Sequence, residues 1–506
     1  MNAVISTPPQ MNADIQGCLN KYRLIILELL SLLFLLAIVF WSVRPLIEEW
    51  GLFAAFNISG LGYIEEFAHF IPMRPLHLLA YALQWLIGAG QPIGVAAGTG
   101  LLLIARYYVT RWAVSPLLNG CDRWIVSILA ATLTFWPGAW LGRYGSAQLS
   151  AVFFFVSLGF AIRVHQKFST AKVVGFVVAS VLMLVTYQGL TLCLLALPFA
   201  SFLWGQTDDV ATVGKYSRAK AAGRVLFALM LSFTAYGVYW FIVSKVLGNA
   251  GYEGALAGDS SRLLTVSGLV AHIEAAYSTA FTQTSYLLPY LLLISFYLCK
   301  LALDKQETAK SLLLMSGLGV ALVGMLPLLS LIYVSSVHIR DLDRVLFPIS
   351  AGFVLVCLSL LIRCRSGNFI SENYIGASIL VAVLVTSSTI SAYESYRYAR
   401  LQVSVIDQVW TVSKNNNSKL VVIRDMTGAL GDVYTLYGPT LSDAMSVLGR
   451  DLKGTICTPL SVDRIHPIAQ RFPIDTTVRC EDLPPAPEGT LVLKARWEDG
   501  RLVIEP

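Results

Sequence analysis

Charge is scarce in this chain: 13% of its 506 residues are Asp, Glu, Lys or Arg, against 56% hydrophobic. Soluble globular domains carry about twice that charged share, so the composition excludes one and calls for a polytopic membrane protein with a modest soluble part. Cysteine is sparse, 8 in all, with no Cys/His spacing of the metal-site kind, and neither internal repeats nor low-complexity segments occur. The first apolar run, residues 24–41, has no small-residue cleavage site and ends in Trp41-Ser42-Val43-Arg44. It reads as a retained span and not as a signal peptide. The net charge of +6 makes no case for nucleic acid, because most basic residues fall in short loops on one side of the membrane, where topology accounts for them.

Apolar runs of about 17 to 25 residues, oriented by the Lys/Arg bias of short loops, predict about eleven spans. They fall at 24–41, 93–107, 124–140, 147–162, 173–186, 190–204, 225–246, 286–301, 311–334, 345–362 and 375–393. The cluster Lys215, Arg218, Lys220 and Arg224 marks the clearest inner loop. Residues 1–23 are then a cytoplasmic tail and 24–395 the transmembrane domain, with outer loops at 44–92, 247–284 and 335–344. Residues 76–87 are too short to span comfortably and read as an interfacial helix, or as a tilted half-span. Trp41, Trp50, Trp136, Trp140 and Trp240 are expected in the interfacial aromatic belt.

From Glu394 onward the apolar runs shorten to strand length at 420–423, 491–493 and 502–504, and 440–449 has helical spacing. Residues 396–506 are therefore expected to form a small α/β domain on the outer face, large enough to bury a marginal core. Its two cysteines, Cys457 and Cys480, lie in an oxidising compartment on this reading; a bridge and two free thiols both remain open, since spacing does not fix the distance between their α-carbons. The other six fall in or near spans and inner loops, where burial as small hydrophobes is expected.

The outer loops hold the chemistry. Glu48-Glu49-Trp50 follows the first span, Glu65-Glu66 lies in the same loop, Arg74-Pro75 closes it, and His338, Arg340, Asp341, Asp343 and Arg344 stand within seven residues of one another in the third. An acidic pair at a helix end often does no more than mark the interface as solvated charge. Gathered with arginines at one membrane surface, carboxylates suit removal of a hydroxyl proton while cations hold a phosphate leaving group. Tyr187-Gln188 sits at an outer hairpin, where it either caps the turn or binds sugar hydroxyls; His272 and Glu274 fall in a region of mixed polarity that reads as a surface helix.

The order of a span, Glu48-Glu49-Trp50, Arg74-Pro75-Leu76 and an amphipathic helix resembles the first outer loop of GT-C glycosyltransferases, most of all the phage-type O-antigen glucosyltransferases. Tyr187-Gln188 and Arg344-Val345-Leu346-Phe347-Pro348 resemble later parts of their pattern, and the likeness covers roughly residues 20–395. Here the acids are Glu where the family pattern has Asp, and Met73 stands where it has Gly. The resemblance implies a GT-C-like helical fold in a bacterial inner membrane, with the N-terminus cytoplasmic and the C-terminal domain periplasmic. It also implies transfer from a polyprenyl-phosphate sugar to a glycan or glycolipid acceptor, in lipopolysaccharide O-antigen modification, with inversion of the anomeric centre by direct displacement. Glu48 or Glu49 would be the base, with Glu65 and Glu66 as alternatives. Arg74, Arg340, Arg344 and His338 would bind donor phosphate, and Tyr187 and Gln188 substrate. No cofactor is required and a divalent cation is allowed, because a cationic clamp suffices for a monophosphate. Two rival readings are a lipid-linked saccharide polymerase or ligase, and a transporter or flippase, which would place ionisable groups near the membrane midplane.

Overall fold

The computed structural model describes residues 9–46, 48–135, 145–204, 214–248, 251, 265–267, 270, 342–363, 374–428, 430, 436, 440–459 and 478–506; for 9–21, 48, 214–217, 342–350, 360, 363, 374–376, 394 and 398 it describes the backbone alone. The helices are α1 (Pro9–Ser42), α2 (Glu48–Ser59), α3 (Gly62–Phe70), α4 (Leu79–Ile87), α5 (Ile93–Val114), α6 (Gly120–Thr132), α7 (Gly145–Gln166), α8 (Thr170–Thr186), α9 (Thr191–Leu203), α10 (Gly214–Phe241), α11 (Leu342–Arg363) and α12 (Tyr374–Asn415). After them come β1 (Leu420–Asp425), α13 (Thr440–Val447), β2 (Lys453–Cys457), β3 (Leu491–Glu498) and β4 (Arg501–Glu505).

Among the described residues, 5 helical segments are long and apolar enough to cross a membrane: Tyr22–Ser42, Ile93–Val114, Gly145–Gln166, Arg218–Val246 and Ala377–Asn415. Thr170–Thr186 and Gln188–Leu203 are apolar but shorter. The protein is thus a membrane-embedded helical protein carrying a small sheet. The runs expected at 286–301 and 311–334 lie outside the described residues.

Two devices pack the bundle. Glu28 of α1 is buried and forms an ion pair with Arg111 of α5, so that two charges enter apolar surroundings together. The second device is a glycine seam. A β-carbon at Gly94 would stand 2.1 Å from the carbonyl oxygen of Gln84, and one at Gly98 would stand 2.4 Å from Gln84 Cγ. Only glycine lets α4 lie this close to α5, a small-residue contact of the kind that joins helices in membranes. The segment read as interfacial is accordingly a packed helix: Ala80, Tyr81, Ala82 and Gln84 are buried, while Leu79, Leu86 and Ile87 remain exposed.

α12 runs unbroken for 42 residues, about 63 Å at 1.5 Å per residue and roughly twice a 30 Å hydrocarbon core. Its first half packs on α1 and α6, its second on β4. The domain boundary expected at residue 396 therefore falls inside a continuous helix, and the sheet begins only at Leu420. The sheet order is β2-β1-β3-β4, parallel except for the antiparallel β3–β4 hairpin. β2 went unrecognised in the sequence because its five residues contain a glycine, Gly454, whose missing side chain admits Leu441 of α13. At the end of β1 the buried Asp425 carboxylate accepts the Thr427 and Leu430 amides at 2.9 and 2.7 Å, locking the following turn. Val405, Ile406 and Val409 of α12 belong to the same buried apolar cluster as Ile423, Leu493 and Ile504 of the sheet.

Cys457 and Cys480 are joined by a disulfide, with α-carbons 4.9 Å apart; Cys121, Cys193 and Cys357 are buried thiols. Two outcomes should follow. Gly94→Ala should lower the melting temperature of the detergent-solubilised protein, by overpacking worth about 1 to 3 kcal/mol, whereas Gly62→Ala, where a β-carbon meets open space, should change it far less. Mass mapping without reductant should recover the Cys457 and Cys480 peptides joined, and Cys457→Ala should cost the domain about 3 kcal/mol, measured by denaturant unfolding.

Candidate functional site

The first loop begins with a fully buried carboxylate. Glu49 is 0% exposed, and its Oε2 accepts the Leu46 amide at 2.9 Å, tying the chain into the first turn of α2. Next to it the Trp50 indole donates to Gln402 Oε1 at 3.3 Å, and the Gln402 amide donates to the Pro45 carbonyl at 3.3 Å. Trp50, expected in the interfacial belt, is 4% exposed, because α12 offers its indole N–H a partner. Trp41 and Trp240 are exposed. Glu48 opens α2 and its side chain, like Trp136, Trp140, His272, Glu274, His338 and Arg340, lies outside the described residues. Arg344 is placed on α11 by its backbone alone.

Arg74 lies in the turn between α3 and α4 and is 8% exposed. That turn is held by other elements through its own backbone: the Leu76 amide donates to the Val185 carbonyl at 3.2 Å, and the Tyr239 hydroxyl of α10 donates to the Pro72 carbonyl at 2.6 Å. The Arg74 guanidinium stands 5.9 Å from the centre of the Tyr187 ring, a cation–π distance. His77 is set among Phe67, Tyr81 and Tyr187, with ring centres 6.0, 6.2 and 6.4 Å away. The Gln188 amide donates to the Tyr236 hydroxyl of α10. Ser150 of α7 donates to the Tyr187 carbonyl at 2.9 Å. Gly189 is required here, since a β-carbon would come within 2.5 Å of the Tyr187 ring.

Sequence positions 74, 77, 187, 188 and 236 are thereby brought into one cluster. Of these, Tyr236 carries no local signal, being an aromatic in a long apolar helix, whereas His77 follows Arg74-Pro75-Leu76 directly in the chain. Glu65 and Glu66 lie on the exposed side of α3, where no residue is buried. They stand in solvent-facing positions, with Glu66 near enough to Tyr63 to raise the affinity of its phenol for its proton, second to burial and ahead of Asp443.

Asp443 itself was not foreseen. It comes from α13, and Gly51 of α2 leaves room for it: a β-carbon there would sit 3.3 Å from Asp443 Oδ2. Half-buried between the two helices, its carboxyl is pushed above the usual Asp value by desolvation. No motif links residue 443 to residue 51; only the docking of α13 on α2 does.

A second polar group lies deeper. Arg106 of α5 is 0% exposed and donates to Thr134 Oγ1, and at 3.4 Å to Gln148 Oε1 and to the Ala131 carbonyl. Nearby on the same packed helices Gln84, Thr99 and Ser146 are buried and have no hydrogen-bond partner among the described residues. The expected span 93–107 would put Arg106 next to its end; α5 continues to Val114, so Arg106 is an interior cation. Among the described residues, no three His, Cys, Asp or Glu side chains converge as metal ligands.

Compared with protein-family models and with curated proteins, the chain matches none of them.

A pH dependence follows from Asp443. Its raised affinity means that the folded protein holds more protons than the unfolded one between the ordinary Asp pKa and the folded value, so stability falls as pH rises through that window. Asp443→Asn should remove this fall. Thermal unfolding in detergent at about pH 4 to 7 should show variant and parent converging at the acid end and the variant gaining on the parent above it; a gap independent of pH would exclude the assignment.

Proposed function

We propose that the protein is a GT-C-type membrane glycosyltransferase that moves a sugar from a polyprenyl-phosphate donor to an envelope glycan or lipid-linked saccharide, in O-antigen or lipopolysaccharide modification. On this reading it has about eleven spans, sits in a bacterial inner membrane, and works on the periplasmic face, where the C-terminal sheet would lie. The observation that carries the proposal is the Arg74 cluster: a nearly buried guanidinium grouped with Tyr187, His77 and the Gln188–Tyr236 pair. A planar cation in a water-poor setting suits the donor's phosphodiester and the phosphate monoester that leaves it. Aromatic faces and amide groups suit a sugar.

In the proposed reaction the acceptor oxygen bonds to the anomeric carbon as the bond from that carbon to phosphate oxygen breaks. Polyprenyl phosphate leaves with the electron pair, and the acceptor proton passes to a carboxylate. Direct displacement inverts the anomeric centre. Glu48 or Glu49 is the proposed base, with Glu65 and Glu66 in reserve. Asp443 joins them because a carboxylate of raised pKa accepts a proton more readily. Arg74 is proposed to hold donor phosphate, with Arg340, Arg344 and His338 expected to join it.

One observation favours a second reading. Arg106 buried within the bundle is what a transporter or flippase would use. The two differ in whether a bond breaks: only the transferase releases polyprenyl phosphate.

In nanodiscs supplied with a polyprenyl-phosphate hexose and an envelope acceptor, replacing the true base by its amide should cut turnover by about 10²- to 10⁴-fold with donor binding little changed. Arg74→Ala should weaken both, by about 1.5 to 3 kcal/mol per charge-assisted hydrogen bond lost, and Arg74→Lys should restore only part. Parental turnover in Glu48→Gln, Glu49→Gln, their double variant and Asp443→Asn, each checked for a melting temperature no lower than the parent's, would overturn the assignment of the base to Glu48, Glu49 or Asp443 and leave Glu65 and Glu66 to be tested. Movement of lipid without release of polyprenyl phosphate would overturn the transferase reading itself.

A further inference from the structure

A groove of about 810 Å³ runs between the upper half of α12 and the β3–β4 hairpin. Its helical wall is one face of α12: Tyr393, Tyr396, Arg397, Arg400, Ser404 and Gln408 follow at the three- and four-residue spacing that aligns side chains along a helix. The facing wall includes Trp497 and Arg501. Among the described residues, Arg397, Arg400 and Arg501 line this groove and no carboxylate does. The nearest described acid by strand pairing, Glu498, is the cross-strand partner of Arg501 and lies outside the lining.

The lower end of the groove is marked by aromatic stacking. Tyr396 stacks on Trp41, at the end of α1, with ring centres 4.6 Å apart, and Tyr393 stacks on the same indole at 6.4 Å. All three residues occur where apolar helix gives way to polar sequence, the position at which amphipathic rings settle at headgroup depth. Arg400 lies over Tyr396, its guanidinium carbon 5.8 Å from the ring centre, so the cation is held just above that level. The upper end is closed: Gln408 donates to the Leu502 carbonyl and accepts the Ile504 amide, both at 2.9 Å, pinning β4 to α12.

We infer that this groove binds the phosphate headgroup of an anionic membrane lipid, with Arg400 and Arg501 as its cationic contacts and the acyl chains descending beside Trp41 and Tyr393. Charge supplies the selectivity, since a fork of guanidinium donors pairs bidentately with phosphate. Location supplies the source, since the open end of the groove meets the aromatic ring layer. The inference is independent of the transferase reading, because it uses none of the residues placed in that site.

Native mass spectrometry of the full chain in detergent, titrated with phosphatidylglycerol and with phosphatidylcholine, tests it. The parent should retain phosphatidylglycerol preferentially, and the Arg400→Gln/Arg501→Gln double variant should bind it at least about tenfold more weakly, the loss expected for a charge-assisted contact. Ser404→Glu, which adds a carboxylate at an exposed position in the groove and leaves both arginines in place, should weaken it in the same way if the site is electrostatic. Parental phosphatidylglycerol affinity in both variants would overturn the proposal. So would equal retention of the two lipids, or full displacement of phosphatidylglycerol by inorganic phosphate at matching concentration, which would make the groove a site for the free anion.

Discussion

The length of α12 is the constraint on which the rest depends. A helix about 63 Å long cannot end inside a bilayer of roughly half that thickness, so its polar second half must leave the membrane as a rigid rod. Its backbone bonds are satisfied internally all the way, which is why no loop is needed at the membrane surface. The sheet then packs on the same helix that packs in the bundle, and the apolar cluster is continuous from Leu35 in α1 to Ile504 in β4. Membrane part and sheet share a core. Consequently α13 reaches α2, and Asp443 arrives beside the loop that holds Glu49.

Close approach of helices is the second theme. The seam of Gly94 and Gly98 lets α4 press on α5, which fixes the turn that carries Arg74. Gly189 and Gly51 play comparable parts for the Tyr187 ring and for Asp443. In each case the absent side chain is what positions a polar group belonging to another element. Buried polar groups in such a bundle are costly unless paired, and Arg106 and Glu28 are both paired. Among the described residues Gln84, Thr99 and Ser146 find no protein partner, which makes the junction of α4, α5 and α7 a polar pocket of the kind that holds a buried water.

The proposed chemistry draws on these two features together. Arg74 owes its low exposure to a turn clamped by α8 and α10, and a clamped, desolvated cation pairs more strongly with phosphate than a solvated one. Glu49, by contrast, spends one carboxylate oxygen on the Leu46 amide. That bond explains its burial by local structure, and it leaves the choice among the acids to activity measurements. Glu65 and Glu66 face solvent and Asp443 is half-buried, so the acids around α2 and α3 differ in environment more than in type.

Much of the architecture was legible in the sequence, because apolar length and periodicity follow directly from the bilayer. The helices at 24–41, 93–107, 147–162, 173–186, 190–204 and 225–246 were all placed from composition, and three of the four strands from short apolar runs. Arg74, Tyr187 and Gln188 stand out in the sequence by their positions at turns. The tertiary structure alone decided that they meet, since residues 74, 187 and 236 are joined only by the packing of the α3–α4 turn on α8 and α10. It also decided that Trp50 is buried, that Cys457 reaches Cys480, and that Asp443 and Arg106 stand where they do. Periodicity reports which face of an element is apolar and is silent about which other element covers it; for polar groups buried between helices, the partner is the information, and it lies from 25 residues away, as for Arg106 and Ala131, to 352, as for Trp50 and Gln402.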